Sequence, residues 1–340
     1  MIPMLSSTYG VRANVGNKQL GQAVPLKYRE APLVETEFSK SMEGKPLKDI
    51  PYMDMQGNVI ALISGTVQAV RKDTIVIKGA DGKDYIHEFP KDFPLNAESF
   101  MDNSSKVKVG DVVRKGQILA ESVFSKEGKL AIGTNLKTGF LAYKGYNFED
   151  GFVVSETAAK KMTSLHLMEF VVEKGKEVVV GKKEYISVFP NAAMTVKLEN
   201  YDENGVIKKG TSVENGDLLI LAYEKRELSP SQASIALLNK KVAQLLAPRD
   251  ISPIFDKEAI GKVSRVHIDN KNVKVFVKTE EVTIEGDKIA TRYGGKGIIT
   301  KILPDAQMPM GEDGTPLEVL FNPHGIPSRM NSSQLVESAL

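Results

Sequence analysis

Cysteine and tryptophan are absent from this 340-residue sequence, and histidine occurs only four times. Without cysteine the chain can form neither disulfides nor cysteine-based zinc sites, which fits a reducing compartment. The histidines are His87, His166, His267 and His324. Their spacing matches no metal-ligand pattern, so we interpret each as a surface or packing residue.

Long apolar runs are also missing. No stretch approaches the roughly 18 residues that cross a bilayer, and the first residues lack the features of a secretion signal. We therefore expect a soluble, cytoplasmic protein without a membrane partner. Because the net charge is only +2, any basic site must be local. The hydrophobic content (41%) and charged content (26%) are those of an ordinary globular protein, long enough for two or three compact units.

Short segments rich in Val and Ile recur between turn signals, which predicts a mainly β fold of α+β type. The predicted strands are Val59–Ser64, Thr74–Lys78, Val112–Leu119, Val178–Val180, Leu218–Leu221, Val263–Val266, Val273–Val277, Ile298–Leu303 and Glu318–Phe321. Three helices are predicted: one that Ser155 caps and that runs to Met162, one over Gln232–Leu246, and one that begins near Asn331.

Two segments look like one element used twice. Lys106–Ala120 reads KVKVGDVVRKGQILA and Gly210–Leu221 reads GTSVENGDLLIL; each has a Gly-Asp turn followed by a strand. A repeated small-barrel hairpin and two unrelated hairpins explain this equally well. At the C-terminus, Asn331 and Gln334 resemble a capping box before a helix of under three turns. Such a helix is marginal alone, so we expect another polypeptide to cover it, or the natural chain to be interrupted here.

The most distinctive segment is a basic, glycine-rich loop. Lys288, Arg292 and Lys296 have helical spacing, but Gly294, Gly295 and Gly297 interrupt the run and argue against a helix. Exposed backbone N–H groups beside fixed cations suit a phosphate-bearing partner. The alternative is a solvated turn between two strands.

A second segment is acidic. Glu149 and Asp150 precede the apolar strand Phe152–Val154, with Gly145 and Gly151 on either side. At a turn both carboxylates can face one site and hold Mg²⁺, directly or through water. A polar turn before a buried strand is the alternative.

Several segments, in one order, resemble the β subunit of multisubunit DNA-directed RNA polymerases. GYNFED at 145–150 is similar to its active-centre motif, and GDKIATRYGGKGIITKILP at 286–304 to its GDKMAGRHGNKGVISKILP segment. The run MPMGEDGTPLEVLFNPHGIPSRMN at 308–331 is similar to a third motif of the family. Arg12, Gly16 and QAVP at 22–25 resemble a fourth stretch, while 161–285 matches only loosely, where the family inserts its flap.

The resemblance implies a role for each matching residue. Lys288 and Lys296 correspond to the lysines near the RNA 3′ end and the phosphates of the incoming nucleotide, and Arg12 and Arg329 to arginines that contact the triphosphate. Lys288, Lys296 and Arg329 are accordingly the predicted catalytic residues. The predicted nucleotide-binding residues are Arg12, Lys288, Arg292 and Arg329. Glu149 and Asp150 correspond to an acidic pair near the second Mg²⁺, with indirect contact.

The resemblance also implies an architecture and partners. A double-psi β-barrel carries a flap-like β insertion and a short C-terminal helix. The expected regions are 1–105 (fork side and connections), 106–160 (first part of the barrel), 161–285 (insertion) and 286–340 (second part and start of the terminal helix). The family's metal-binding Asp triad, NADFDGD, lies on the β′ subunit and is absent here. This chain is thus expected to work only with β′-type subunits, other β fragments, Mg²⁺, template DNA, nascent RNA and nucleoside triphosphates.

The sequence departs from the family at two motifs. The family's HGNKG is Tyr293–Gly297 here, and its Asn-Arg pair is Val11-Arg12, so only the arginine carries over. A chain that covers this part of a β subunit resembles the split polymerase genes of large bacteriophages, which would place it in the host cytoplasm or in a virion. Two other functions stay open: a structural or assembly subunit that kept the β scaffold, and a stand-alone nucleic-acid-binding barrel.

Overall fold

The computed structural model describes residues 2–36, 57–225 and 247–340. The predicted helix at Gln232–Leu246 lies outside these residues. The described α-helices are α1 Gly10–Leu20, α2 Glu156–Lys161, α3 Lys182–Val188, α4 Pro190–Thr195, α5 Gly325–Ser328 and α6 Ser332–Ala339.

Strands are the more frequent element. They are β1 Val59–Ile60, β2 Gly65–Val70, β3 Thr74–Gly79, β4 Asp84–Glu88, β5 Phe93–Pro94, β6 Phe100–Met101, β7 Asn103–Ser105, β8 Val112–Val113, β9 Ile118–Ser122, β10 Ser125–Lys126, β11 Lys129–Leu130, β12 Thr138–Phe140, β13 Gly151–Ser155, β14 Ser164–Glu173, β15 Val178–Val180, β16 Ser212–Val213, β17 Ala222–Glu224, β18 Arg249–Asp250, β19 Gly261–Ile268, β20 Asn272–Glu281, β21 Lys288–Ala290, β22 Lys296–Leu303 and β23 Val319–Phe321. The fold is mainly β, as predicted. Within the described ranges, no helix is both long and apolar enough to cross a membrane.

The chain divides into two compact units. The first comprises Met1–Leu165 and Glu281–Leu340, and the second His166–Glu280. The second unit has its own apolar core, built around Tyr185, Leu219 and Phe255. Its strands form a four-stranded sheet in the order β14-β20-β19-β16 and a three-stranded sheet in the order β15-β17-β18.

A five-stranded mixed sheet organises the first unit, in the order β12-β23-β13-β22-β21. Its central strand β13 pairs in parallel with β22, so that Gly151 lies opposite Ile298 and Ser155 opposite Leu303. All five residues of β13 are buried, which explains their nearly continuous apolar sequence. Alternation along the strand sends Phe152 and Val154 into one core cluster and Val153 into another.

Most predicted strands are confirmed. β3, β15, β19, β20 and β22 contain the predicted segments, while at 59–64 only Val59 and Ile60 form a strand. Two predictions are wrong. The run Val112–Leu119 is broken by a turn at Gly116, whose φ is 90°. Leu218–Leu221 makes isolated bridges and no strand, although Leu219, Ile220 and Leu221 are buried in the core of the second unit.

The repeated element is real, and its two copies lie 100 positions apart. Gly110 and Gly210 both have positive φ, as do Gly116 and Gly216 six residues later. An equivalent backbone hydrogen bond holds each copy: Gly110 N donates to Val67 O at 2.9 Å, and Gly210 N donates to Val263 O at 2.8 Å. In both copies the neighbouring strand, β2 or β19, has a register shift directly after that valine. The two segments are therefore one structural module used twice, once in each unit.

Helix α2 confirms its predicted cap. The Ser155 hydroxyl accepts a hydrogen bond from Ala158 N at 3.1 Å, and Glu156 lies in the first turn. The helix near Asn331 also exists, as α6, but the capping box is wrong. The Asn331 side chain donates to Tyr293 O and Gln334 Oε1, both at 3.3 Å, instead of accepting from the helix. Helix α6 is anchored by this chain's own N-terminal segment, through Thr8 Oγ1 and Ser333 Oγ at 2.7 Å.

Helix α1 was not predicted, because its sequence contains Gly10 and Gly16 and lacks a clear apolar stripe. The structure explains Gly16. A Cβ at this position would lie 2.6 Å from Arg292 O and 3.2 Å from Gly294 N. The glycine that weakens the helix locally thus lets it pack directly against backbone of the β21–β22 turn.

We expect Gly297→Ala to lower the free energy of unfolding by about 3 kcal/mol or more. A Cβ at this position would lie 1.8 Å from Asp150 O, so β13 and β22 would have to separate. Gly133→Ala is the matched control, since its Cβ meets nothing within 4 Å. Chemical denaturation of the two variants measures the difference, and equal stabilities would contradict the importance of this backbone contact.

Candidate functional site

The lysines of the basic loop share one exposed face of the β21–β22 hairpin. Lys288 lies opposite Ile298, and Ala290 opposite Lys296. In an antiparallel pair these residues point to the same side, so the two lysines are diagonal neighbours, about 7–8 Å apart at their Cα atoms. Both side chains are exposed. The structure confirms that the basic segment is not a helix and shows that the strand pairing brings its lysines together.

Residues 291–295 form the turn between these strands. Thr291 N donates to Gly295 O at 2.8 Å and Gly294 N to Thr291 O at 3.1 Å, which closes the turn on itself. Gly294 has a φ of 79°, and a Cβ there would lie 2.2 Å from Arg12 O. The turn therefore needs glycine both for its backbone angles and for contact with α1.

Arg12 reaches this turn from α1. Its Nη1 donates to Gly294 O at 3.4 Å, and its side chain is half-buried. Arg12 does not line the small pocket whose walls include Glu149, Asp150 and Arg329. Helix α1, which places Arg12, was not predicted from the sequence, although Arg12 itself was predicted as a nucleotide-binding residue.

Arg292 points toward α6. Its Nη2 contacts Glu337 Oε1, its Nε donates to Glu337 Oε2 at 3.3 Å, and Nη2 also donates to Val34 O at 2.9 Å. The neighbouring Tyr293 is buried, and burial followed by the Glu337 carboxylate raises the pKa of its phenol. A guanidinium held by three acceptor atoms has little left to offer a phosphate. Its nucleotide-binding role stays a prediction.

The acidic residues lie on a tight turn between β12 and β13. Buried Asn147 supports the turn, since its Oδ1 accepts from Tyr143 N at 2.9 Å and its Nδ2 donates to Leu141 O at 2.7 Å. Glu149 adopts a φ of 49°, an unusual angle for a residue with a side chain. This turn lets Glu149 and Asp150 both face the solvent at the start of β13, as the sequence suggested.

Arg329 completes the arrangement. It follows the short helix α5, and its Nη2 forms an ion pair with Asp150 Oδ1. The pair remains accessible, with side-chain exposures of 26% for Arg329 and 49% for Asp150. Two residues that lie 179 positions apart in sequence are thereby joined at the N-terminal end of the central strand β13.

Four of the predicted residues line one small pocket: Glu149, Asp150, Lys296 and Arg329. Lys288 lies on the same hairpin face as Lys296, whereas Arg12 contacts the turn from α1 and Arg292, which is part of the turn, pairs with Glu337. The pocket also contains three amide side chains that sequence reasoning missed, Asn322, Asn331 and Gln334. Their only signal was their closeness in sequence to Arg329, and Asn331 and Gln334 resembled helix-capping residues instead.

The carboxylates suit a water-mediated metal contact better than a closed metal cage. Within the described ranges there is no group of three or more acidic or histidine residues that could hold a metal ion. Mg²⁺ is commonly bound through one or two carboxylates together with substrate phosphates. Glu149 and Asp150 meet that smaller requirement, and the cations of Lys296 and Arg329 line the same pocket.

Comparison with known proteins identifies relatives along the whole chain. Residues 60–340 match the family described as RNA polymerase Rpb2, domain 6. Three similar proteins are each named DNA-directed RNA polymerase subunit beta. That of Rubrobacter xylanophilus is 33% identical and covers 100% of this chain, that of Syntrophomonas wolfei 34% and 99%, and that of Treponema denticola 34% and 100%. The chain spans only 30–31% of the length of these relatives.

We expect the Asp150–Arg329 pair to contribute little to stability. Arg329→Gln should lower the free energy of unfolding by less than about 1 kcal/mol, because both side chains remain solvated. Phe152→Ala, a change in the adjacent core, should cost about 3–5 kcal/mol. Urea denaturation of the two variants provides the comparison. A loss for Arg329→Gln as large as that for Phe152→Ala would mean that the pair is part of the scaffold.

Proposed function

This chain belongs to the β-subunit family of DNA-directed RNA polymerases, through the Rpb2 domain 6 region that fills most of its length, and on that premise we propose that it supplies phosphate contacts to the active site of such an enzyme. The reaction is nucleotidyl transfer, in which the RNA 3′ hydroxyl attacks the α-phosphate of a nucleoside triphosphate and pyrophosphate leaves. The chain acts together with a β′-type subunit, which carries the principal metal site.

One observation carries this proposal. The pocket where β13 and β22 begin contains Lys296, Arg329, Glu149 and Asp150, drawn from three segments that the sequence keeps far apart. Cations and carboxylates side by side on an exposed surface suit a Mg²⁺-bound polyphosphate, because the cations meet phosphate oxygens and the carboxylates meet the metal or its waters.

Each residue then has a proposed role. Lys288 and Lys296 contact the RNA 3′ end and the nucleotide phosphates as point charges, and Arg329 holds two oxygens of the triphosphate. Arg12 supports the triphosphate from α1. Fixed cations at these points stabilise the negative charge that gathers on the phosphoryl oxygens in the transition state. Among the predicted nucleotide-binding residues, Arg292 has the weakest support, since Glu337 and Val34 O already occupy its guanidinium.

Mg²⁺ is the proposed cofactor. When bound with the nucleotide it neutralises phosphate charge and orients the triphosphate. Glu149 and Asp150 would hold its water shell, and Asp150 would also keep Arg329 at the pocket.

The proposed assembly has β′-type subunits and other β fragments as protein partners, with template DNA and nascent RNA as the nucleic acids. We further propose that the five-stranded sheet is part of a double-psi β-barrel. Its strands come from 138–155 and 288–321, the two segments expected to build that barrel. The unit His166–Glu280 would be the flap-like insertion, since its limits lie within five residues of the expected 161–285. The fork-side region would end near residue 105.

We propose that this chain is a split β subunit of a large bacteriophage polymerase and that it acts in the host cytoplasm. The support is the divergence from the bacterial relatives, which are 33–34% identical, together with the departures from the family motifs at Val11 and Tyr293–Gly297.

A structural or assembly subunit that lost catalytic participation is the second candidate. It is favoured by the ion pairs themselves, because Arg329 and Arg292 are both neutralised by carboxylates of this chain. A scaffold would use arginines in this way. It gives no reason, however, for two exposed lysines on the adjacent hairpin face.

Substitution in the reconstituted complex separates the two candidates. Lys296→Ala and Arg329→Ala should each slow nucleotide addition about 10²–10³-fold, the usual cost of removing one donor from a site where charge develops. Single-nucleotide extension of an RNA primer on a DNA template, measured by rapid quench, gives the rates.

Lys301→Ala is the matched control. Lys301 lies on the same strand β22, but it pairs with Glu285 at 3.0 Å and lines no part of the pocket. It should leave the rate within about twofold, as expected for a substitution away from the reacting groups. Near-normal extension by Lys296→Ala and Arg329→Ala, in complexes that assemble fully, would support the scaffold function instead.

A further inference from the structure

We infer that Arg292 is a positioning residue and not a ligand of the nucleotide: with Glu337 of α6 it forms a clamp that holds the β21–β22 turn. The effect on nucleotide addition rests on the proposed function, because the turn carries Lys296 directly after it. The clamp itself can be tested without any activity.

The geometry of the contact is that of an anchor. Both oxygens of Glu337 receive hydrogen bonds from the Arg292 guanidinium, which is a two-point contact of the kind that fixes orientation as well as position. Nη2 also donates to Val34 O at 2.9 Å. Three segments meet at this one side chain: the N-terminal segment at Val34, the turn, and helix α6.

Burial distinguishes this pair from the one in the pocket. The exposed fractions are 17% for Arg292 and 24% for Glu337, against 26% and 49% for Arg329 and Asp150. A more buried pair is harder to open, because removing one partner leaves the other charge poorly solvated. The pocket pair is therefore open to exchange with a ligand, while the Arg292–Glu337 pair is built to persist.

Other contacts also hold the turn. Gly16 of α1 packs against Arg292 O, Arg12 O lies against Gly294, and the Asn331 amide donates to Tyr293 O. All of these leave Lys288 and Lys296 exposed on the hairpin face. A site whose charged groups must meet phosphates within a fraction of an ångström needs such a supporting layer.

A competing interpretation makes an opposite prediction. If Arg292 were a nucleotide ligand that Glu337 masks, then Glu337→Gln would free the arginine, and the Michaelis constant for the nucleotide would fall. If the pair is a clamp, Glu337→Gln and Arg292→Gln should impair the enzyme in the same way. The sign of the Glu337→Gln effect therefore decides between them.

The first experiment measures nucleotide addition by the reconstituted complex. We expect Arg292→Gln and Glu337→Gln each to lower the maximal rate about 10- to 100-fold, the scale that slight misplacement of a catalytic group produces. The Michaelis constant should stay within about twofold. The exchanged pair, Arg292→Glu with Glu337→Arg, should recover part of the rate, which a direct ligand role does not allow. Lys274→Gln breaks an ion pair of the second unit, Lys274–Glu169 at 2.6 Å, and serves as the control.

The second experiment needs no activity. Hydrogen–deuterium exchange of the assembled complex, followed in peptides that cover residues 286–303, reports opening of the turn. Exchange should be about tenfold faster in Arg292→Gln and in Glu337→Gln and unchanged in Lys274→Gln, because loss of a tether raises the population of locally open states.

The clamp and the proposed function can be contradicted separately. Unchanged exchange in both clamp variants, or a lower Michaelis constant in Glu337→Gln, overturns the clamp. If Lys296→Ala and Arg329→Ala leave nucleotide addition intact, the proposed function fails, and faster exchange in both clamp variants would still support a structural clamp.

Discussion

The parallel pairing of β13 with β22 is the constraint on which the rest of the first unit depends. Residues 156–295, which include the whole second unit, separate these strands in sequence, yet Ile298 N donates to Asp150 O at 3.0 Å. The strands approach so closely that position 297 has no room for a Cβ. This one contact sets the acidic turn beside the basic hairpin, and the pocket exists because of it. The acidic turn and the basic hairpin, which have no local relationship in sequence, thus become neighbours through a backbone contact.

Two ion pairs of the first unit differ in exposure. At the pocket, Arg329 and Asp150 form an accessible pair. At the β21–β22 turn, Arg292 and Glu337 form a less exposed pair that joins the turn to α6. In the roles we propose, similar side chains serve different purposes, and the difference comes from burial and from the number of additional acceptors. Charge sign alone does not distinguish a ligand contact from a tether.

The repeated module shows how far local sequence can predict structure. The Gly-Asp turns indicated two similar hairpins, but Gly110-Asp111 and Gly216-Asp217 do not occupy equivalent positions in the two copies. The structure aligns Gly110 with Gly210 and Gly116 with Gly216, each with positive φ. Hydrogen bonds from Gly110 N to Val67 and from Gly210 N to Val263 complete the correspondence. Those bonds reach outside the repeated segments, so reading the segments alone could not find them.

The sequence by itself determined the mainly β fold, the Ser155 cap, the basic glycine turn, the acidic turn and the family, because strand periodicity, turn chemistry and motif order are local signals. Helix α1 could not be predicted, because Gly16 is favourable in it only through packing against the backbone of another segment. The contacts of Arg292 could not be predicted for the same kind of reason, since its partners lie at positions 34 and 337. Only the tertiary structure decided which cations face the pocket and which hold the turn, because that choice depends on contacts between segments that the chain order keeps apart.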